Sequence, residues 1–381
     1  MKVWLTLAGA LLAAAARAGE GVWTSFGPES ALIRAIAIDP GDAQRVYAAV
    51  TEDAPPYQGT ISLGTRRGSE WEPVLEAGEG DWILSLVADG GTPGTLYAFD
   101  IGGKVWRTRD GGATWDVVSS LGRVDGALAL SASDPGALYL AGEDCNCRNG
   151  GHCPPVFCGA AVLLSRDGGA SFGRLGPGPG GYYCSAFAAD PLQANVLYAG
   201  TNVGLFATLD GGATWNRISA AIDGPCPTVS TVAVDPHDEK SILVGFFQSG
   251  QGPLDAPIPC GAAYASDDGG ATWRQLHGLP IHVTSFVFGP AGSRHLYAAA
   301  GNTLGTSVNV YRSNDGGERF DVLADGLQGR SPQQLASDPA AQQLYVSTDR
   351  GVFDLEVLDD RTVTPPHHRQ AAPRSPPDRQ R

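Results

Sequence analysis

Apolar and polar positions along the chain fall into short runs rather than long helical stripes. Seven times an apolar run ends in Asp-Pro or a variant, turns, and continues into a second run built around Leu-Tyr-Ala. The turn position is Asp39, Asp89, Asp134, Asp190, Asp235, Gly289 and Asp338. Two residues earlier stand Ala37, Val87, Ala132, Ala188, Ala233, Val287 and Ala336, all small and apolar. The second run is marked by Tyr47, Tyr97, Tyr139, Tyr198, Tyr297 and Tyr345, with Leu243 in the fifth copy. Runs rich in β-formers and bounded by Gly, Pro and Asp predict strands. A third strand is expected over segments such as Lys104 to Arg107, and a fourth over segments such as Trp115 to Val118.

Between the third and fourth strands lies a box, TRDGGATW at Thr108–Trp115. It recurs as SRDGGASF to Phe172, TLDGGATW to Trp215, SDDGGATW to Trp273 and SNDGGERF to Phe320, with an eroded TRRGSEW to Trp71. The terminal aromatics are spaced by 44, 57, 43, 58 and 47 residues. Four antiparallel strands per repeat at this period predict an all-β, seven-bladed β-propeller. Innermost strands crowd a narrow channel, which explains the small residue before each turn. The last repeat supplies only three strands, and residues 22–26 read as a lone fourth strand. An N-terminal strand completing the last blade therefore closes the ring and removes two open edges.

The box has a local logic. Asp110, Asp167, Asp210, Asp268 and Asp315 can accept hydrogen bonds from the turn, the paired glycines permit positive φ, and Thr114 can tie the turn back. Trp115, Phe172, Trp215, Trp273 and Phe320 then bury their rings against the neighbouring blade. One or two carboxylates per box fall short of a calcium cage, so the box reads as structural and no metal is expected there.

Residues 1–18 read as a signal peptide, from Lys2, an apolar run and Ala16-Arg17-Ala18. The chain is therefore expected to be secreted or periplasmic, with the propeller over 20–360 and a disordered Pro/Arg-rich tail over 361–381. Export makes the seven cysteines disulfide candidates before metal ligands. Cys226–Cys260 and Cys158–Cys184 are plausible pairs, Cys145 and Cys153 are further candidates, and the odd count leaves one over. A net charge of −14 argues against a nucleic-acid groove. No later segment is apolar enough to span a membrane, no cofactor is expected, and a monomer is.

The consensus S/T-x-D-x-G-x-T-W resembles the Asp-box, or BNR, repeat of sialidases, xyloglucan-degrading glycosidases, sortilin-type receptors and propellers like photosystem II assembly factors. The resemblance covers nearly the whole mature chain and implies the propeller fold without fixing a function. A sialidase would need three arginines on its substrate carboxylate. Arg34 is the only arginine at the fifth position before the turn residue; the others are Leu84, Ala129, Ser185, Ser230, Thr284 and Gln333.

Strand parity places the Asp-Pro turns and boxes on one face, here the box face, and the long insertions on the other, the loop face. Binding is expected on the loop face. Its acids are Asp81, Asp100, Asp125, Asp144, Asp223 and Asp255, and Arg34, Tyr57, Trp82, Tyr183, Phe247 and His282 are further ligand-face candidates. Since no catalytic set can be assembled from these positions, the sequence reads as a non-catalytic scaffold for a protein or carbohydrate partner. The alternative is a glycoside hydrolase using two loop carboxylates.

Overall fold

A computed structural model describes residues 22–28, 31–51, 58–65, 70–122, 126–144, 159–222, 224, 226–247, 261–301, 309–323, 326–327, 329–338 and 342–357. Among them every regular element is a strand, gathered into seven four-stranded antiparallel sheets. Blade 1 comprises Leu32–Asp39, Asp42–Thr51, Gln58–Thr65 and Trp71–Glu79, and blade 2 comprises Ile83–Ala88, Leu96–Asp100, Lys104–Thr108 and Asp116–Ser120. The inner strands of blades 3 to 6 are Gly126–Leu130, Cys184–Ala189, Val229–Asp235 and His282–Phe288. Each inner strand packs beside the next, and that of blade 7, Pro332–Ser337, returns to blade 1, so the ring is closed. The outermost strand is shorter than expected in blades 3 to 6, where only two residues pair.

Closure follows the expected route. Thr24–Gly27 pairs antiparallel with Gly351–Glu356 and forms the outer strand of blade 7. The eroded box has acquired a part in this seam, because Trp71 of blade 1 donates its indole N–H to the Phe26 carbonyl at 2.7 Å. The two rings meet edge to face at 5.3 Å. A Cβ on Gly27, whose φ is +91°, would stand 2.7 Å from the Trp71 indole nitrogen, so the seam requires glycine there.

The boxes are alike at atomic level. Thr108 Oγ1 donates to Asp110 Oδ1 at 2.7 Å and accepts from the Gly112 N–H at 2.9 Å. Asp110 Oδ1 accepts from the Thr114 N–H at 2.9 Å, and Oδ2 accepts from the Thr114 hydroxyl at 2.6 Å. The same bonds recur around Asp167, Asp210 and Asp268. The glycine of the box also docks the preceding blade: the Gly111 carbonyl accepts from Arg45 and from the Tyr47 hydroxyl, and the Gly168 carbonyl from Arg107. A local turn thereby becomes an inter-blade joint.

Hydrogen bonds from Thr114, Ser171, Thr214 and Thr272 hold the carboxyls of Asp110, Asp167, Asp210 and Asp268 down to about 2. An unfolded aspartate titrates near ~3.9, so their contribution to stability is complete above that pH and lost as pH falls through about 2. A thermal-melt series is expected to show Tm dropping steeply below about pH 4. Asp110→Asn should lower Tm at neutral pH and make that drop shallower; an unchanged acid limb would mean that other carboxylates set it.

Blade 3 departs from the repeat. In the other blades the small residue two before the turn lies opposite the second-strand landmark, as Ala37 does to Tyr47 and Val87 to Tyr97. In blade 3 Ala129, not Ala132, faces Tyr139. The turn after this inner strand is as long as those of blades 2 and 4, with Leu130 pairing Leu138 as Ala88 pairs Leu96 and Ala189 pairs Leu197. Ser131 holds the place of Asp89 and Asp190, and Asp134 comes later in the turn, so counting back from Asp134 misplaces the register there.

Candidate functional site

Six of the seven inner strands carry a β-bulge near the loop face, and the extra residues are Arg34, Leu84, Ser185, Ser230, Thr284 and Gln333. These are the positions counted from the turn in the sequence. A bulge leaves one residue outside the ladder and re-aims its side chain. Three of them staple neighbouring blades: Ser185 Oγ donates to the Val229 carbonyl at 2.6 Å, Ser230 Oγ to Val283 at 2.6 Å, and Thr284 Oγ1 to Pro332 at 3.3 Å. Among the described residues blade 3 pairs without a break from Gly126 to Leu130.

A cluster forms where blade 1 passes into blade 2. The linker carrying Asp81 and Trp82 is clamped by backbone bonds: the Gly59 N–H donates to the Asp81 carbonyl, the Asp81 N–H to Gly78, and the Ile101 N–H to Trp82. Asp81 Oδ2 accepts from the Lys104 ammonium at 2.8 Å, and this bond raises the lysine pKa above its ordinary value. Asp81 Oδ1 has no hydrogen-bond partner among the described residues. A Cβ on Gly102 would lie 2.8 Å from Asp81 Oδ1 and 3.2 Å from Asp100 Oδ1, so the glycine keeps a space clear between the two carboxylates.

The carboxylates differ in availability. Asp81 keeps 23% of its side chain exposed, whereas Asp100 is 0% exposed. Asp100 Oδ1 accepts from the Lys104 N–H and Oδ2 from the Trp106 indole, both near 2.8–2.9 Å. It stands where Thr201 and Thr348 close the corresponding hairpins of blades 4 and 7. Its place among exposed loop acids is therefore corrected: Asp100 is a buried hairpin cap. Trp82 has one ring face covered by the Arg34 guanidinium at 5.0 Å, while Arg34 Nε donates to Thr51 Oγ1 at 3.1 Å. Desolvation lowers the Arg34 pKa.

The remaining candidates disperse around the ring. Phe247 and His282 stack at 5.2 Å between blades 5 and 6, and burial lowers the His282 pKa. Tyr183 lines a cavity of about 440 Å³ with Leu84, Gly126, Ala127, Glu143, Cys184 and Ser185. Glu143 was not among the sequence candidates; its signal was its place at the end of a second strand that runs on, paired to Ala160, toward a long insertion. Tyr57, Asp125, Asp223, Asp255, Cys145, Cys153, Cys158 and Cys260 lie outside the described residues, as does the side chain of Asp144.

The proposed Cys158–Cys184 pair is corrected. Cys184 is a free thiol, 8% exposed, whose Sγ donates to the Ala186 carbonyl at 3.2 Å, and burial pushes its pKa up to about 12. It packs in the core shared with Tyr139 and Val162 instead of meeting a loop. Cys226 is disulfide-bonded, to a partner outside the described residues. Among the described residues no group of three metal-ligating side chains occurs, and no helix is long and apolar enough to cross a membrane.

Repeated boxes, seven sheets and a strand-closed ring are the features compared with known proteins. The solved GH74 xyloglucanase from Xanthomonas campestris superposes with TM-score 0.59 at 18% identity, over 83% of this chain and 50% of that one. YCF48 bound to D1 peptide superposes with TM-score 0.60 at 15% identity, over 90% and 98%. The chain is an Asp-box propeller. No family model matches it. By sequence this propeller is 26% identical over 282 residues to a xyloglucanase of Hypocrea jecorina, a match covering 71% of the chain and 29% of the relative. The chain thus spans under a third of that relative. Similarity to enzymes overturns the reading of a non-catalytic scaffold and with it the expectation that the propeller is not an enzyme.

Proposed function

We propose that this propeller is a glycoside hydrolase for a β-glucan of the xyloglucan class, with Asp81 as one of its two working carboxylates. The carrying observation is the 282-residue similarity to a protein named xyloglucanase, joined to a loop face on which Asp81 Oδ1 has no hydrogen-bond partner among the described residues. Glycoside hydrolysis uses two carboxyl groups flanking the scissile bond. Lys104 fixes Asp81 Oδ2, and the rigid linker fixes its backbone. Oδ1 is left facing the space over Gly102, where it can take the proton of a water that attacks the anomeric carbon, while the second carboxyl group protonates the glycosidic oxygen as its bond to that carbon breaks. Asp100 does not fill the second role, since both its oxygens are committed. It holds the Lys104 backbone and so positions the lysine that orients Asp81. The leader expected over residues 1–18 would deliver the enzyme outside the cytoplasm, where polysaccharide is met.

The test is release of reducing ends from xyloglucan by the purified chain. Turnover is expected, and Asp81→Asn is expected to reduce kcat by about 100-fold or more. No turnover by the wild type on xyloglucan, or turnover indifferent to Asp81→Asn, would sink the assignment.

A further inference from the structure

We infer that the cavity at the loop-face mouth between blades 2, 3 and 4 is a subsite for one neutral pyranose unit of the glycan; this rests on the hydrolase reading and extends it to a second location. The cavity lies beside the inner strand of blade 3, which pairs without a bulge over its described residues. Leu84 and Ser185, the bulged residues on either side, line it, and Gly126 and Ala127 of the unbulged strand leave its floor open. At about 440 Å³ it holds a hexose with its water.

The lining chemistry selects the occupant. Tyr183 offers an aromatic face and a phenol, suited to the C–H face and a hydroxyl of a sugar ring. Ser185 spends its proton on the Val229 carbonyl and can only accept from a ligand hydroxyl. Glu143 already has a partner, but a carboxylate offers about four acceptor sites, enough for a pair of adjacent hydroxyls besides. Leu84 and the alanine supply apolar contact. Among the described residues no lysine, arginine or histidine lines the space. A uronic or sialic acid would bring its carboxylate against Glu143 with no cation among the described lining residues to meet it, whereas a neutral sugar matches each of those residues. The lone arginine of the bulge ring, Arg34, is turned to Trp82 and Thr51.

Binding is measured by calorimetry in an Asp81→Asn background, which leaves the oligosaccharide intact, with xyloglucan heptasaccharide and with trigalacturonic acid as probes. The neutral probe is expected to bind and the acidic one at least about tenfold more weakly. Tyr183→Ala should weaken the neutral probe about tenfold, and Ala127→Phe, which fills the floor, should do the same; a melt of each variant establishes that it is folded. Equal affinity for both probes, no affinity for the heptasaccharide, or affinity unchanged in folded Tyr183→Ala and Ala127→Phe would each overturn the subsite. The two readings fail separately. Wild-type turnover with binding insensitive to Tyr183 and Ala127 removes only the subsite, and sensitive binding without wild-type turnover removes only the hydrolase.

Discussion

Deletion of residues 1–27 is expected to abolish the cooperative thermal transition of the propeller. The deleted strand carries Trp23, 3% exposed in a core with Leu327, Leu335 and Phe353, and truncating a buried tryptophan alone typically costs about 3–5 kcal/mol. It also carries Thr24, whose hydroxyl donates to Asp354 at 2.6 Å, and the Phe26 carbonyl that accepts from Trp71. Without it Gly351–Glu356 becomes an open edge and Trp71 loses its acceptor, so the joint between blades 7 and 1 weakens on both sides. Domain stabilities run about 5–15 kcal/mol, and these losses together consume most of that. Circular dichroism melts check it, and Phe26→Ala offers a graded version with a lowered but cooperative Tm. A deleted chain that melts cooperatively near the wild-type temperature would mean that the ring does not depend on this seam.

Asp81→Asn and Asp100→Ala are expected to separate function from stability although the two carboxylates border one space. Asp81 meets Lys104 at a partly exposed site, 23% and 34% for the two side chains, where an ion pair contributes about 0–1 kcal/mol. Its amide variant should melt within a few degrees of wild type, on the order expected for that loss, while kcat falls about 100-fold or more. Asp100→Ala strands the Lys104 N–H and the partly buried Trp106 indole N–H, at up to about 1–3 kcal/mol for each group left unsatisfied. Its Tm should fall clearly, and the activity that remains should be lost further through the misplacement of Lys104. Paired melting curves and initial rates on xyloglucan distinguish the two. A stable Asp100→Ala protein, or an unstable Asp81→Asn protein with normal turnover, would reverse the assignment.

The degree to which the site could be read ahead differs by kind of interaction. Arg34, Leu84, Ser185, Ser230, Thr284 and Gln333 were set side by side by counting from the turn, yet nothing in that count said that each is a bulge. Glu143 has no local signal, because the cavity it lines is completed by Leu84 of blade 2 and Tyr183 and Ser185 of blade 4. Asp81 and Asp100 looked equivalent as loop acids, and they differ only through Lys104 and Trp106, which fold over one and seal the other. Cys184 reads as a disulfide candidate and is a free thiol in the core.

What the sequence determined by itself was the repeat: the box around Asp110, the seven inner strands, and the strand before Pro28 that closes the ring. All three rest on contacts within a hairpin or on an unpaired edge that must find a partner, and such contacts are written in residues a few positions apart. The tertiary structure alone decided which carboxylate is exposed, which thiol is buried and where the mouth opens into a cavity. Those properties arise from side chains of different blades brought together by the ring, and desolvation and pairing depend on that assembled environment rather than on the residue or its neighbours in the chain.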